Sequence, residues 1–169
     1  MNILKTLHIK TPLGPMVAIA DEKALFLLEF VDGRGVEREV AQLSRVRKAQ
    51  IESGTNNILH SIDKELADYF AGRVSMFKTP LEYMGTPFQK QVWDELRRIP
   101  YGTTQSYADV AKAIHKPTAF RAVANANGRN QIAVVIPCHR VINSNGELGG
   151  YGGRVDRKQW LLDHEKIGR

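Results

Sequence analysis

Residues 101–128 read YGTTQSYADVAKAIHKPTAFRAVANANG, and the architecture turns on how this stretch folds. After the turn Tyr101-Gly102-Thr103-Thr104, Ser106 and Asp109 have the spacing of a capping box. They predict a helix over residues 107–115 that buries Val110, Ala111 and Ile114. Lys116-Pro117 breaks it, and Thr118 is placed to cap an alanine-rich helix over 119–127 that ends at Gly128. Two helices of about ten residues joined by a tight turn suggest a helix-turn-helix. Its small side chains would let the second helix approach a sugar-phosphate wall, with Arg121 projecting past them. The plainer alternative packs the alanines against the preceding helix and leaves Arg121 a surface charge.

Upstream, Thr86-Pro87-Phe88-Gln89 is a second capping box, with proline at the first helical position. The helix it opens carries Phe88, Val92, Trp93, Leu96 and Ile99 on one face and stops at Pro100. Residues 73–85 have no clear period and include Pro80 and Gly85, which places a domain junction there. Before it, three short strands are expected at 3–10, 15–20 and 24–31, with turns at 11–14 and 21–23. Val36, Val40, Leu43 and Val46 then recur at helical spacing. A further helix over 61–71 buries Ile62, Leu66, Tyr69 and Phe70, with Gly72 as a left-handed stop. The reading is an α+β chain with a scaffold domain at 1–80 and a helix-turn-helix domain at 86–169.

Downstream, residues 134–142 read VVIPCHRVI, two apolar runs that suggest strand, sharp turn and strand. A lone cysteine is most often a small buried hydrophobe. Cys138, however, follows a proline and adjoins His139 and Arg140, a setting that can lower a thiol pKa from about 8.5. Residues 149–154, GGYGGR, lack dinucleotide or Walker spacing; they suit close backbone approach to a flat ligand, or simply a loop. The last helix, 155–166, is expected to turn Trp160, Leu161 and Leu162 inward. It ends near Glu165, and a carboxylate behind a histidine would orient the ring for proton transfer.

Composition narrows the function classes. A single cysteine among 169 residues excludes an intramolecular disulfide and a cysteine-rich zinc site, and fits a reducing, cytoplasmic setting. No stretch approaches the roughly 18 apolar residues of a membrane span. Residues 1–84 hold 11 Lys+Arg and 11 Asp+Glu, whereas residues 85–169 hold 13 and 7, so the whole excess of +6 lies in the second half. That suggests a polyanion as partner of one domain, although a solvated basic face would look the same.

Together these residues resemble the O6-alkylguanine-DNA alkyltransferases, and the bacterial stand-alone form most. The likeness rests on Ile136-Pro137-Cys138-His139-Arg140-Val141 and runs from about Pro87 to Glu165, more weakly through the first strands. It implies a ribonuclease-H-like antiparallel sheet with helices, then a winged helix-turn-helix domain carrying the active site. It implies single-turnover repair, in which Cys138 irreversibly accepts a methyl or other alkyl group from O6 of guanine in duplex DNA after base flipping through the minor groove. O4-alkylthymine stays open as a second substrate.

By the same resemblance, His139 is the base, acting through water, with Glu165 behind it. Tyr107 protonates the departing guanine, and Asn130 braces the active-site turn. Arg121 fills the gap left by the flipped base, and Thr118, Ala119, Ala122, Ala126 and Asn127 complete the DNA-binding face. Tyr151, Gly152 and Gly153 close over the base, and the carbonyls of Cys138 and Val141 accept from its exocyclic amine. No cofactor, metal or membrane is implied; the partner is double-stranded DNA and the protein is a monomer in solution, with cooperative DNA binding left open. Gly152 replaces a serine of some members and Ala133 a proline of some mammalian ones, which leaves the adduct range open. A cysteine hydrolase would use the same Cys138, His139 and Glu165 with repeated turnover, and a plain DNA-binding module would leave Cys138 dispensable.

Overall fold

A computed structural model describes residues 2–152 and 154–167. The chain divides after Met84 into two compact units. The first is built on strands β1 (Asn2–Ile9), β2 (Met16–Ala20), β3 (Leu25–Phe30) and β4 (Ala49–Ser53) in the order β3-β2-β1-β4. The three expected strands pair antiparallel. β4 was not expected: it pairs parallel to β1, with Leu4 opposite Ile51, so the sheet is mixed. Only Ala49 and Ile51 alternate with polar residues there, because an edge strand buries little, and so the period-2 signal was faint.

Helix α1 (Val36–Arg47) returns the chain so that β4 can run beside β1, and it ends at Lys48 in the left-handed region. Leu4, Ile19, Phe26, Leu27 and Leu43 pack together in the core of this unit. Helix α2 (Asn57–Phe70) starts four residues before the expected Ser61. Asn56 caps it by accepting from the Leu59 amide at 2.9 Å, and Ile58 and Leu59 extend the buried stripe of Ile62, Leu66 and Tyr69 backwards by a turn.

In the second unit, α3 (Pro87–Leu96) has the full capping box between Thr86 and Gln89. Helix α4 (Tyr107–Ala113) has the second, between Ser106 and Asp109. It ends two residues earlier than expected, since His115 turns into the left-handed region ahead of Pro117. Helix α5 (Phe120–Gly128) corrects another expectation: Thr118 does not cap it. The Ala119 amide bonds back to the Lys116 carbonyl at 2.9 Å, which draws Thr118 into the turn and leaves Ala119 at the cap position without a side-chain acceptor.

The expected strand before Cys138 is also absent. Residues 132–137 form consecutive turns, with the Ile136 amide on the Ile132 carbonyl at 3.0 Å and Val134 at φ 71°. A 3-10 turn follows at Cys138–Arg140, and then β6 (Val141–Ile142), parallel to β5 (Gln105–Ser106). All of residues 132–141 are buried, so the apolar runs report burial and not strand geometry. The chain closes with α6 (Val155–Ile167), which buries Leu161 and Leu162. Trp160 is only half-buried, stacked on His164 at 4.9 Å between ring centroids, so it is not turned inward as expected.

Candidate active site

Cys138 lies on the 3-10 turn, 7% exposed, and the end of α5 holds that turn from two positions. Asn130 donates to the Ile136 carbonyl at 2.8 Å and accepts from the Ile132 amide at 2.9 Å, so one amide side chain clamps both ends of the bend before the cysteine. Asn127 donates at 3.4 Å to the carbonyl of Cys138 itself. Ala126 and Asn127, assigned from the resemblance to a DNA-binding face, both point inward and are buried. Their positions follow from Trp93 of α3, whose indole donates to the Ala126 carbonyl at 2.9 Å and fixes which face of α5 is covered.

His139 is fully buried, and its Nε2 lies 2.7 Å from Glu165 Oε2. Glu165, at the end of α6, also receives Arg140 in a fork: Nε to Oε1 at 2.8 Å and Nη2 to Oε2 at 3.0 Å. The third arm of the guanidinium donates to the Ile99 carbonyl at 2.8 Å. Burial would raise the Glu165 pKa, but the hydrogen bonds from His139 and Arg140 and their charges outweigh it and hold the group well below the ordinary carboxylate range. An ionised carboxylate can only accept, so Nε2 carries the proton and Nδ1 keeps its lone pair. That Nδ1 is buried and has no hydrogen-bond partner. Burial lowers the His139 pKa against the opposing pull of Glu165, which keeps the ring neutral and able to take a proton.

Tyr107, at the start of α4, is half-buried; burial and then the charge of Cys138 raise its pKa, so the phenol keeps its proton at neutral pH. The loop after β6 comes close to it: a Cβ at Gly149 would stand 3.0 Å from the Tyr107 hydroxyl. Tyr151 of that loop is half-buried and Gly152 exposed, while Gly153 lies outside the described residues. The structure therefore brings Cys138, His139, Glu165, Asn130 and Tyr107 into one neighbourhood. Thr118, Arg121 and Ala122 are exposed and Ala119 is half-buried.

Two functional residues were missed by sequence reasoning. Arg140 was noted beside the cysteine but not as a partner of Glu165. Lys158 was not noted at all. It is fully buried, and its ammonium donates to the Val141 carbonyl at 2.6 Å, to the Leu148 carbonyl, and to the Gly150 carbonyl at 3.4 Å. Burial pushes its pKa down to about 8 in spite of the charge of Cys138. The available signal was periodicity, since positions 158, 161, 162 and 165 share one face of α6 with two leucines between the charges. Because Lys158 already occupies one lone pair of the Val141 carbonyl, a ligand can reach only the other.

The comparisons with known proteins agree along the whole chain. Residues 4–83 match the ribonuclease-like domain of 6-O-methylguanine DNA methyltransferase, and residues 87–167 its DNA-binding domain. The chain is similar to a methylated-DNA–protein-cysteine methyltransferase of Shigella flexneri, 43% identical over 160 residues, which span 93% of this chain and 92% of the relative. Its fold is similar to the crystal structure of the Mycobacterium tuberculosis O6-methylguanine methyltransferase, with a TM-score of 0.85 and 36% identity over 98% of this chain and 94% of that one. A second M. tuberculosis structure, of OGT in complex with DNA, gives a TM-score of 0.83 at 36% identity and the same coverage.

Proposed function

The chain belongs to the 6-O-methylguanine DNA methyltransferase family, and from that premise we propose that Cys138 takes the alkyl group from O6 of guanine in duplex DNA, once and irreversibly. The protein is a transferase of DNA alkyl repair, and DNA is its partner. The observation that carries the residue assignment is the buried His139–Glu165–Arg140 network beside Cys138, with Nδ1 of the ring left uncommitted.

The steps balance as follows. His139 takes the thiol proton, directly or through a bridging water, and Glu165 stabilises the imidazolium that forms. The Cys138 sulfur attacks the alkyl carbon, the S–C bond forms as the C–O6 bond breaks, and the electron pair leaves on guanine. Tyr107 supplies the proton that neutralises the guanine ring. The product thioether has no good leaving group, so the protein stops after one event.

A thiol this buried meets an O6-alkyl carbon only if the nucleotide leaves the helix, at a cost of a few kcal/mol in unstacking. Arg121, exposed on α5, offsets part of that cost by filling the gap, with Thr118, Ala119 and Ala122 against the backbone. The extruded base would lie under Tyr151 and Gly152, with its amine on the Val141 carbonyl; the Cys138 carbonyl, given the same role by the resemblance, already accepts from Asn127 and from the Val141 amide. Asn127 acts from inside, through its bond to the Cys138 carbonyl, while Ala126 is buried and its carbonyl accepts from Trp93 of α3. No helix among the described residues is long and apolar enough to cross a membrane. A monomer working in the cytoplasm is the setting we propose.

The test is to incubate the protein with duplex DNA containing O6-methylguanine and weigh it intact. The expected result is the mass of one methyl group on Cys138 and no further gain with excess DNA. Cys138→Ser should gain nothing yet still bind DNA. An unchanged mass in the unaltered protein would refute the assignment, and repeated turnover on a peptide or ester would favour a hydrolase.

A further inference from the structure

Every aromatic side chain among the described residues is buried or half-buried except Phe120, which is 45% exposed. An isolated exposed apolar residue needs no explanation of its own. The surroundings of this one do. Phe120 opens α5 directly before Arg121, and the Arg121 guanidinium carbon lies 6.0 Å from the ring centroid. Apart from Pro117, the rest of the exposed surface nearby in sequence is small, polar or basic: His115, Lys116, Thr118, Ala122 and Asn125. Side chains of a first helical turn lean toward the helix start. Phe120 and Arg121 therefore lie together at the exposed N-terminal edge of α5, next to the short side chains of Thr118 and Ala122.

We infer that Phe120 is a second wedge beside Arg121, an aromatic ring that stacks on a base left exposed in duplex DNA when the target nucleotide is extruded. The inference rests on the alkyl-transfer reading and deepens it by naming a residue that meets the undamaged neighbours of the lesion. Charge complementarity points to DNA as the occupant, since the half of the chain that carries α5 holds the entire net charge of +6. The chemistry fits as well. Apolar side chains wedge between base steps where proteins open a duplex, and stacking on an aromatic ring tolerates any base because every base has a π face. The contact between ring and guanidinium also restricts Arg121 before DNA arrives, which lowers the ordering cost of its insertion.

The experiment compares unaltered protein, Phe120→Ala and Phe120→Trp on three methyl donors: duplex DNA with one O6-methylguanine, the same strand unpaired, and free O6-methylguanine base. Because the ring is exposed, the alanine variant should melt with the unaltered protein. The expected result is about tenfold slower transfer from subsaturating duplex in Phe120→Ala. Transfer from the free base should be unchanged, and Phe120→Trp should stay within about twofold of the unaltered protein on duplex. A 2-aminopurine next to the lesion should be quenched on binding by the phenylalanine and tryptophan forms and less by the alanine form. Equal duplex rates for the alanine variant and the unaltered protein would overturn the wedge, as would an equal loss on duplex and free base. If the unaltered protein accepted methyl from none of the three donors, alkyl transfer itself would be refuted, and the wedge with it.

Discussion

The two units bury different materials. Up to Met84 the buried side chains are almost all hydrocarbon, with Thr79 as the polar exception among the described residues. From Gly85 onward they include Asn127, Asn130, His139, Arg140, Arg157, Lys158 and Glu165. Apolar burial stabilises a fold in rough proportion to area and says little about direction. Buried charges are costly unless each is paired, and when paired they fix positions to within a hydrogen bond. The second unit therefore carries the larger energetic burden, and most of it bears on one turn; the counterpart in the first unit is the half-buried pair Glu29 and Glu39, where burial pushes the Glu29 pKa up to about 10. His139, Arg140 and Glu165 set the ring beside Cys138, Asn127 and Asn130 set the backbone before and at it, and Lys158 sets the backbone after it.

The sharpest way to break this contrast is Glu165→Ala. It strips His139 and Arg140 of their common partner and leaves a guanidinium buried with only the Ile99 carbonyl among these bonds. Removing one member of a buried pair costs about 3–5 kcal/mol, so urea denaturation should show a loss of that order. Methyl transfer measured by intact mass should become undetectable on the time scale of the unaltered protein. Native stability with a native rate would mean that the network is decoration.

Lys158→Met should do less, and in a way that separates position from packing. It keeps the length of the side chain but leaves the Val141, Leu148 and Gly150 carbonyls without their donor, and a roughly tenfold slower transfer is expected if those contacts are worth about 1–2 kcal/mol together. The pH profiles discriminate further. With its pKa pushed from 10.5 to about 8, Lys158 loses its proton above about pH 8, so transfer by the unaltered protein should decline there. Stability should move the other way: between about pH 8 and 10.5 the unfolded chain binds the proton that the folded chain has released, so unfolding free energy rises with pH across that window. The methionine variant should lack both slopes. A variant that kept the alkaline decline would assign it to another group.

What could be read from the sequence followed the same division between local and tertiary causes. Both capping boxes, at Thr86/Gln89 and Ser106/Asp109, were legible because a cap is decided within four residues. β4 was not, because its pairing partner lies about forty-seven residues away and its own alternation is weak. The run before Cys138 looked like a strand because continuous burial and strand burial share one apolar signature, and only the turns around Val134 distinguish them. In the site, Cys138, His139 and Glu165 were found through motif and resemblance. The fork from Arg140 and the three carbonyls on Lys158 depend on where α6 lies against the turn, which no local pattern encodes.

The smallest expected effect on transfer belongs to the unit with the hydrocarbon core. Leu66, on α2, is 1% exposed, and Leu66→Ala deletes packing without unpairing any polar group. Such a truncation costs about 2–5 kcal/mol, with the cavity term depending on how far the surroundings relax. This overlaps the cost expected for Glu165→Ala, yet the consequence for chemistry should be opposite: at a temperature where the variant stays folded, single-turnover methyl transfer should match the unaltered protein. Two variants of similar stability loss, one inert in transfer and one native, would establish that the buried charges of the second unit hold geometry and do not merely hold the fold. A Leu66→Ala protein that was stable at the assay temperature but slow in transfer would show instead that the hydrocarbon core also positions the reacting groups.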